Sequence, residues 1–353
     1  MDVLIIYQFC TFGGVERVIL NRAKEFKKRD QDVKISVGYL YDQGAFQSFQ
    51  AYIKTHDLDD YLLPFILPAN YSFEDGHFDY TFVIDTPQVF RRTSKTGNLF
   101  IECHTPYWEN RQYLKNIPAN IRGILVPSEA FRTLLASEFP ALPPISVMPN
   151  PVSEEFFEIK PSNPTRFFSK RPIAYFARLE DIKNFFEAVQ IFELFIEDTN
   201  VAYFVVGKGA SQESLIGSLE HKGLIAKALL REKVEFDKVL SLVSLVKDHR
   251  GVFLSPSKGE SFGLSAAEFI TGGVPVLLSD IPPHRELVEN DERFLYSLGD
   301  IHSAKEKLVN LFFRWDDMSE ILKKYANKFR GEVFMKAWND FLIGVNRSNK
   351  SWS

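Results

Sequence analysis

The chain has 353 residues, too many for the usual single α/β core, so two domains are expected. Forty-two Lys plus Arg against 46 Asp plus Glu give a formal charge of -4, which argues against a nucleic-acid-binding face. Hydrophobic residues at 45% and aromatics at 14% supply a large buried core or an apolar contact surface, yet no apolar run approaches the roughly 20 residues that span a bilayer.

Val3 to Phe9 reads as a first strand rather than a signal peptide, because no basic region or long apolar run accompanies it. The expected location is cytoplasmic, with peripheral contact at the inner face of the membrane left open. Thr11-Phe12-Gly13-Gly14 then leads into a helix from about Val15 to Lys28. Its Val15, Val18, Ile19 and Ala23 share one face, while Arg17, Lys24 and Lys27 reach solvent. Further strands are expected at Val33 to Leu40, Tyr80 to Ile84, Leu99 to Cys103, Ile124 to Val126 and Ile145 to Met148. Glu129 to Ser137 reads as a helix with Ser128 as its N-cap. The two cysteines, Cys10 and Cys103, end apolar strands and read as buried free thiols.

Pro151 to Lys170 loses this rhythm and reads as a linker, with Pro161, Ser162, Asn163 and Pro164. A second βα series follows: strand Ile173 to Phe176, helix Asn184 to Phe195, and strand Ala202 to Val206 ending in Gly207-Lys208-Gly209. Strands at Val234 to Phe236, Val252 to Leu254 and Val276 to Leu278 continue it. From His302 onward the chain reads as mainly helical. Trp315-Asp316-Asp317-Met318 is expected to separate two helices, the last holding Tyr325, Phe329, Phe334 and Trp338, and Ser348 to Ser353 to fray. Strands apolar on both faces and alternating with helices indicate mostly parallel sheets covered on both sides.

The richest stretch is Glu260-Ser261-Phe262-Gly263-Leu264-Ser265-Ala266-Ala267-Glu268. A loop feeding a helix N-terminus presents free backbone N–H groups, which suit a phosphate. Two carboxylates beside a phosphate repel it unless they bind hydroxyls, so the combination reads as recognition of a sugar or ribose. Glu268 lies inside an Ala-rich helix, where close packing makes an unpaired carboxylate costly.

These residues belong to an ordered set: Gly13-Gly14-Val15-Glu16-Arg17, His104-Thr105-Pro106, Val126-Pro127-Ser128, Pro149-Asn150-Pro151-Val152, Phe176-Ala177-Arg178-Leu179 with Lys183-Asn184, Ser255-Pro256-Ser257 through Glu268, Gly273-Val274-Pro275-Val276, and Ser279-Asp280. In that order the chain resembles the retaining nucleotide-sugar glycosyltransferases with the GT-B fold, of the glycogen-synthase-like and mannosyltransferase-like type (glycosyl transferases group 1). The resemblance implies an α/β chain of two Rossmann-like domains facing across an interdomain cleft, with a C-terminal helix crossing back to the first domain. The expected divisions are 1–160 for the acceptor, 161–325 for the donor, and 326–353 for the returning helix.

The same resemblance assigns Arg178 and Lys183 to the donor diphosphate, where cations offset charge growing on the leaving phosphate. It gives Ser261, Phe262, Gly263 and Leu264 to the phosphate or sugar at the helix start, and Glu268 to the ribose hydroxyls. Glu260 is expected on sugar hydroxyls, Gly13 and Gly14 near the phosphate and acceptor, and His104 near the transferred sugar. Retention by same-face attack, with no metal and no cofactor beyond the nucleotide-diphosphate sugar, completes what the resemblance implies. UDP-hexose is the first donor choice and GDP-hexose the second. The acceptor is a saccharide or lipid-linked saccharide, in polysaccharide or glycoconjugate synthesis.

Duller readings stand beside these. Gly13 and Gly14 also suit a tight strand-to-helix turn, His104 a half-buried structural histidine, and Arg178 and Lys183 solvated loop charges. Asp57, Asp59 and Asp60, like Asp316 and Asp317, read as acidic solvent faces rather than metal ligands. Ala177, Pro151, Phe236-Asp237-Lys238 and Pro282-Pro283 stand where the family usually has glycine, and these departures bear on donor identity more than on catalysis. Arg91, Arg92, Lys95, Arg111 and Lys115, with Tyr107, Trp108 and Tyr113, offer an acceptor or lipid-phosphate surface, or a solvated loop beside packed aromatics. Two rival functions are a nucleotide-sugar epimerase on a similar scaffold and a non-catalytic nucleotide- or sugar-binding interaction protein.

Overall fold

Apolar runs such as Val3-Leu4-Ile5-Ile6 and Tyr203-Phe204-Val205-Val206 are buried along their whole length, as strands covered on both faces must be. The computed structural model describes residues 1–69, 71, 73, 78–93, 96–160, 170–232, 234 and 236–350. The chain forms two units, Met1–Ser153 with Arg330–Ser353, and Glu154–Phe329. Residues 161–169 of the linker expected between them, Lys95, and the last three residues of the expected frayed end lie outside the described residues.

The first unit contains β1 (Asp2–Cys10), α1 (Gly14–Lys28), β2 (Lys34–Asp42), α2 (Phe46–Thr55), β3 (Leu62–Ile66), β4 (Tyr80–Ile84), β5 (Leu99–Glu102), β6 (Ile121–Val126), α3 (Glu129–Glu138) and β7 (Ile145–Val147). The second contains β8 (Arg171–Phe176), α4 (Phe185–Glu193), β9 (Val201–Val206), α5 (Gln212–His221), β10 (Ala228–Arg231), α6 (Val239–Asp248), β11 (Val252–Ser255), α7 (Leu264–Thr271), β12 (Val276–Ser279), α8 (Pro282–Leu287), β13 (Leu295–Tyr296), α9 (Ile301–Phe313) and α10 (Trp315–Tyr325). The final helix, α11 (Gly331–Lys350), belongs to the first unit.

Both sheets are parallel. Their orders are β3-β2-β1-β4-β5-β6-β7 and β10-β9-β8-β11-β12-β13. Each order reverses once, between β1 and β4 and between β8 and β11, and in such sheets ligands bind beyond the strand C-termini at that point. In unit one this places Thr11 to Gly14 and Asp85 at the switch, and in unit two Ala177 to Lys183 and Ser257 to Gly263.

Helix α11 packs on α1, with Phe334 and Trp338 against Phe26, and Trp338 and Phe341 against Phe82. The aromatics expected together in the last helix are in fact divided: Tyr325 ends α10, Phe329 lies in the turn after it, and Phe334 and Trp338 are in α11. Trp315 to Met318 is the first turn of α10 rather than a separator, because the Trp315 indole donates to the Gly251 carbonyl at 2.8 Å and draws that turn onto the sheet. The strand expected over Val234 to Phe236 is also displaced. The edge strand is β10, and Phe236 starts a short 3-10 turn, with Glu235 outside the described residues. On α1, Val15 is only half-buried, and Glu16, Arg22 and Glu25 take core positions instead. Both cysteines are buried and free.

Candidate functional site

In the second unit the first positioning element is the loop after β8. Ala177 to Leu179 lies so close to the loop after β9 that a Cβ on Gly207 or Gly209 would overlap the Ala177 or Leu179 carbonyl. The close backbone approach that Ala177 forgoes is thus supplied by Gly207 and Gly209 from the neighbouring strand. Arg178 projects outward, 63% exposed, and pairs with Glu180 at 3.1 Å. A short turn, Asp181–Lys183, then brings Lys183 inward, and the left-handed Asn184 (φ 53°) starts α4.

The second element is the loop after β11. Its Lys258 N–H donates to the Ile182 carbonyl at 2.7 Å, which ties it to the first loop. That bond brings Lys183 and Glu260, 77 residues apart, into an ion pair at 2.6 Å with side chains 14% and 11% exposed. Ser257 donates to the same Glu260 oxygen at 2.8 Å. Burial pushes the Glu260 carboxyl upward, but the Lys183 ammonium, then His284 and the Ser257 hydroxyl, outweigh it and hold the group below the usual carboxylate range.

Gly263 caps α7 at φ +93°, a left-handed conformation natural to glycine. Phe262 is buried with its ring edge-on to Phe329 at 5.8 Å, so at this residue the backbone remains to meet a ligand. The first N–H groups of α7, from Leu264 onward, have no carbonyl within the helix to accept them, and they carry the positive end of its dipole. Glu268, in the second turn, is buried at 2% exposure. Arg178, Lys183, Glu260, Ser261, Phe262, Gly263, Leu264 and Glu268 therefore all belong to this unit, on two neighbouring loops and the helix that follows.

The sequence reading missed the floor of this loop. His284, in α8, is fully buried with Nδ1 3.0 Å from both the carbonyl and the hydroxyl oxygen of Ser279. Ser279 in turn donates its hydroxyl to the Ser257 carbonyl. For His284 the signal in the sequence is a histidine directly after Pro282-Pro283, just beyond the apolar strand that ends at Ser279.

Gly13, Gly14 and His104 lie in the first unit. Gly13 is the N-cap of α1, and its N–H donates to Glu16 at 2.7 Å, so Glu16 closes the turn from within. Burial raises the Glu16 carboxyl, and the backbone N–H groups of Thr11 and Gly13 oppose that rise. Gly14 is exposed, with open space where a Cβ would stand.

His104 is fixed twice. Its backbone N–H donates to Asp85 at 2.8 Å, and Asp85 also accepts from the Tyr113 hydroxyl at 2.9 Å. Its Nε2 lies 2.8 Å from Glu102 Oε1, and Glu102 is clasped by both terminal nitrogens of Arg22, at 3.0 and 2.5 Å. Burial alone would raise the Glu102 carboxyl. Arg22 and His104 overcome it and hold the group well below its ordinary value. An ionised carboxylate only accepts, so His104 Nε2 carries a proton, and in the neutral ring Nδ1 is the acceptor. Period-two alternation along β5 already put residues 102 and 104 on one side, which was the overlooked signal for Glu102.

The basic and aromatic cluster beyond His104 is largely occupied by the protein itself. Arg111 is bidentate on Glu138, Arg92 donates to the Pro68 and Tyr71 carbonyls, and Lys115 sits 5.6 Å over Trp108.

Comparison with known proteins identifies the scaffold. Residues 158–329 match the family described as Glycosyl transferases group 1. A sucrose synthase from Melioribacter roseus is 25% identical over 190 residues, 47% of this chain and 24% of that protein. An O-antigen biosynthesis glycosyltransferase, WclY, from Escherichia coli is 30% identical over 99 residues, 28% of this chain and 26% of that protein. The chain thus spans about a quarter of the length of the curated relatives it matches. Among solved structures, Anabaena HepE in complex with UDP and glucose superposes with a TM-score of 0.78 at 16% identity, covering 98% of this chain and 100% of that one. The fold is GT-B. Among the described residues no helix is long and apolar enough to cross a membrane.

Proposed function

Residues 158–329 match the glycosyl transferases group 1 family, and from that premise we propose that the chain is a retaining hexosyltransferase. It moves a hexose from a nucleotide-diphosphate sugar to a hydroxyl of a saccharide or lipid-linked saccharide. The observation that carries the reading is the cluster at the second sheet's switch point. There Lys183, Glu260 and Ser257 meet beside the N-terminus of α7, the helix that also buries Glu268.

The roles follow from the chemistry of each group. The α7 N–H groups and the Lys183 ammonium bind the diphosphate, and Arg178, being exposed, swings onto it. Glu268 accepts from ribose hydroxyls, and Glu260 accepts from hydroxyls of the sugar. His104, in its neutral form, offers Nδ1 as an acceptor for a hydroxyl. The acceptor oxygen attacks the anomeric carbon on the face from which the phosphate leaves. The bond from that carbon to the phosphate oxygen breaks with its electrons going to the phosphate, which takes up the acceptor's proton. Configuration is retained. Lys183 and Arg178 supply the positive charge that a metal ion supplies in other transferases.

UDP is the favoured nucleotide, a choice supported by the UDP and glucose bound in HepE. A place in polysaccharide or glycoconjugate biosynthesis is supported by the likeness to the O-antigen biosynthesis glycosyltransferase WclY. Calorimetric titration with UDP, GDP, ADP and their hexose conjugates, with and without EDTA, tests the donor reading. Selective UDP binding that survives EDTA is expected, and folded protein that binds none of them refutes it.

A further inference from the structure

His284 is a histidine with one nitrogen over-provided and the other left bare. Nδ1 faces the Ser279 carbonyl, which only accepts, so Nδ1 carries a proton. The Ser279 hydroxyl spends its own hydrogen on the Ser257 carbonyl, and so it too turns a lone pair to Nδ1. In the neutral ring Nε2 is then a lone pair, and it is buried without a hydrogen-bond partner. Folded proteins keep few such atoms, and each asks for an explanation.

The bare edge of the ring lies under the cap of α7. A Cβ on Gly263 would stand 3.6 Å from Cδ2 and 3.8 Å from Nε2 of His284, and 3.1 Å from Leu287. The other edge roots a chain of polar contacts running from Ser279 to Ser257 and on to Glu260 and Lys183. One buried ring thereby supports both the helix end and the carboxylate of the candidate donor site.

We propose that His284 is a positioning residue of the donor site, which sets the Gly263 cap of α7 and, through Ser279 and Ser257, the Glu260 carboxylate, and that it does so only as the neutral imidazole. The inference rests on the donor-site reading above. A proton on Nε2 would place an N–H and a positive charge beneath the positive end of α7, beside Gly263. Of the charged side chains around it, Lys183 opposes that proton and Glu260 favours it, while burial weighs most and keeps the ring neutral. Because its value in the folded protein is depressed below 6.5, the ring stays neutral through the neutral range and takes its proton only at lower pH.

Two substitutions separate positioning from filling. His284→Asn keeps an N–H for the Ser279 carbonyl and cannot ionise. His284→Leu fills the space and donates nothing. For wild type and both variants, kcat and KM for the UDP-hexose are measured from pH 8 down to the lowest pH at which each stays folded, along with the melting temperature and UDP affinity. His284→Leu should raise KM for the donor about tenfold, a loss of about 1.4 kcal/mol, even where it is fully folded. His284→Asn should stay within about threefold of wild type at pH 7.5 and lose the wild-type decline on the acid side. Equal kinetics for Leu and wild type, or an unchanged acid limb in Asn, overturns the assignment. A wild-type protein that binds no nucleotide instead removes the donor-site reading, and this proposal falls with it.

Discussion

Replacing Lys183 by Met keeps most of the side-chain stem and deletes the charge. In the structure that charge is committed to Glu260 at 2.6 Å in a largely buried setting. At an effective dielectric of 20 the gross attraction is about 6 kcal/mol, and most of it is offset by desolvation of the two groups. A diphosphate entering beside α7 therefore meets a lysine already held by a carboxylate, which it must share or displace. A charge-assisted hydrogen bond to the phosphate contributes about 1.5–3 kcal/mol. Lys183→Met should accordingly weaken UDP binding by about 10- to 150-fold. Glu260→Gln removes the competitor and leaves the ammonium free, so UDP should bind at least as tightly as to wild type while sugar transfer fails. Calorimetry with UDP alone reads both effects, because UDP brings the diphosphate without the hexose. Wild-type affinity in Lys183→Met refutes the reasoning, as does a tenfold loss in Glu260→Gln.

Glu268→Gln should weaken UDP by about tenfold or more, since hydrogen bonds to a charged acceptor contribute about 1.5–3 kcal/mol. The same change should leave a 2′,3′-dideoxy analogue unaffected, and an equal loss for both ligands would remove the ribose role. Glu102→Gln leaves Arg22 without its ionised partner in the core, and urea unfolding at pH 7 should show a loss of about 3 kcal/mol. The Glu102 contribution is complete above the unfolded value near 4.5 and lost as pH falls through its lower folded value, so wild type and variant should converge in acid. Gly263→Ala forces a side chain into the left-handed region, 3.1 Å from Leu287, and should cost about 1–3 kcal/mol. Weaker UDP binding should accompany it, and an unchanged melting temperature would contradict the strain.

Strands β1, β4, β8 and β9 are legible because each carries a continuous buried stretch, Val3 to Ile6, Tyr80 to Ile84, Pro172 to Phe176 and Val201 to Val206. The edges were harder to read. Strand β3 contains Pro64, which argues against a central strand but is tolerated at the sheet edge where β3 lies. Strand β10, at the other sheet's edge, is only partly buried, so its pattern is faint and the expected strand slid toward Val234. Asp316 and Asp317 were read as a break, yet two carboxylates in a first turn favour a helix start.

In the candidate site, the loop-to-helix step from Glu260 to Glu268 is local and was visible in the residues themselves. The Lys183–Glu260 pair was not, because it depends on one backbone bond between Lys258 and Ile182. The supports of the site, Glu102 behind His104 and His284 beneath Gly263, lie a layer away from any ligand. Their significance comes from what they touch.

The most direct test of the central claim follows UDP-glucose by proton NMR with the protein and a panel of saccharide acceptors. The account predicts UDP release with the first-formed product in the α configuration of the donor. A β product appearing first would contradict retention, and no consumption of any nucleotide sugar by folded protein would contradict transfer itself.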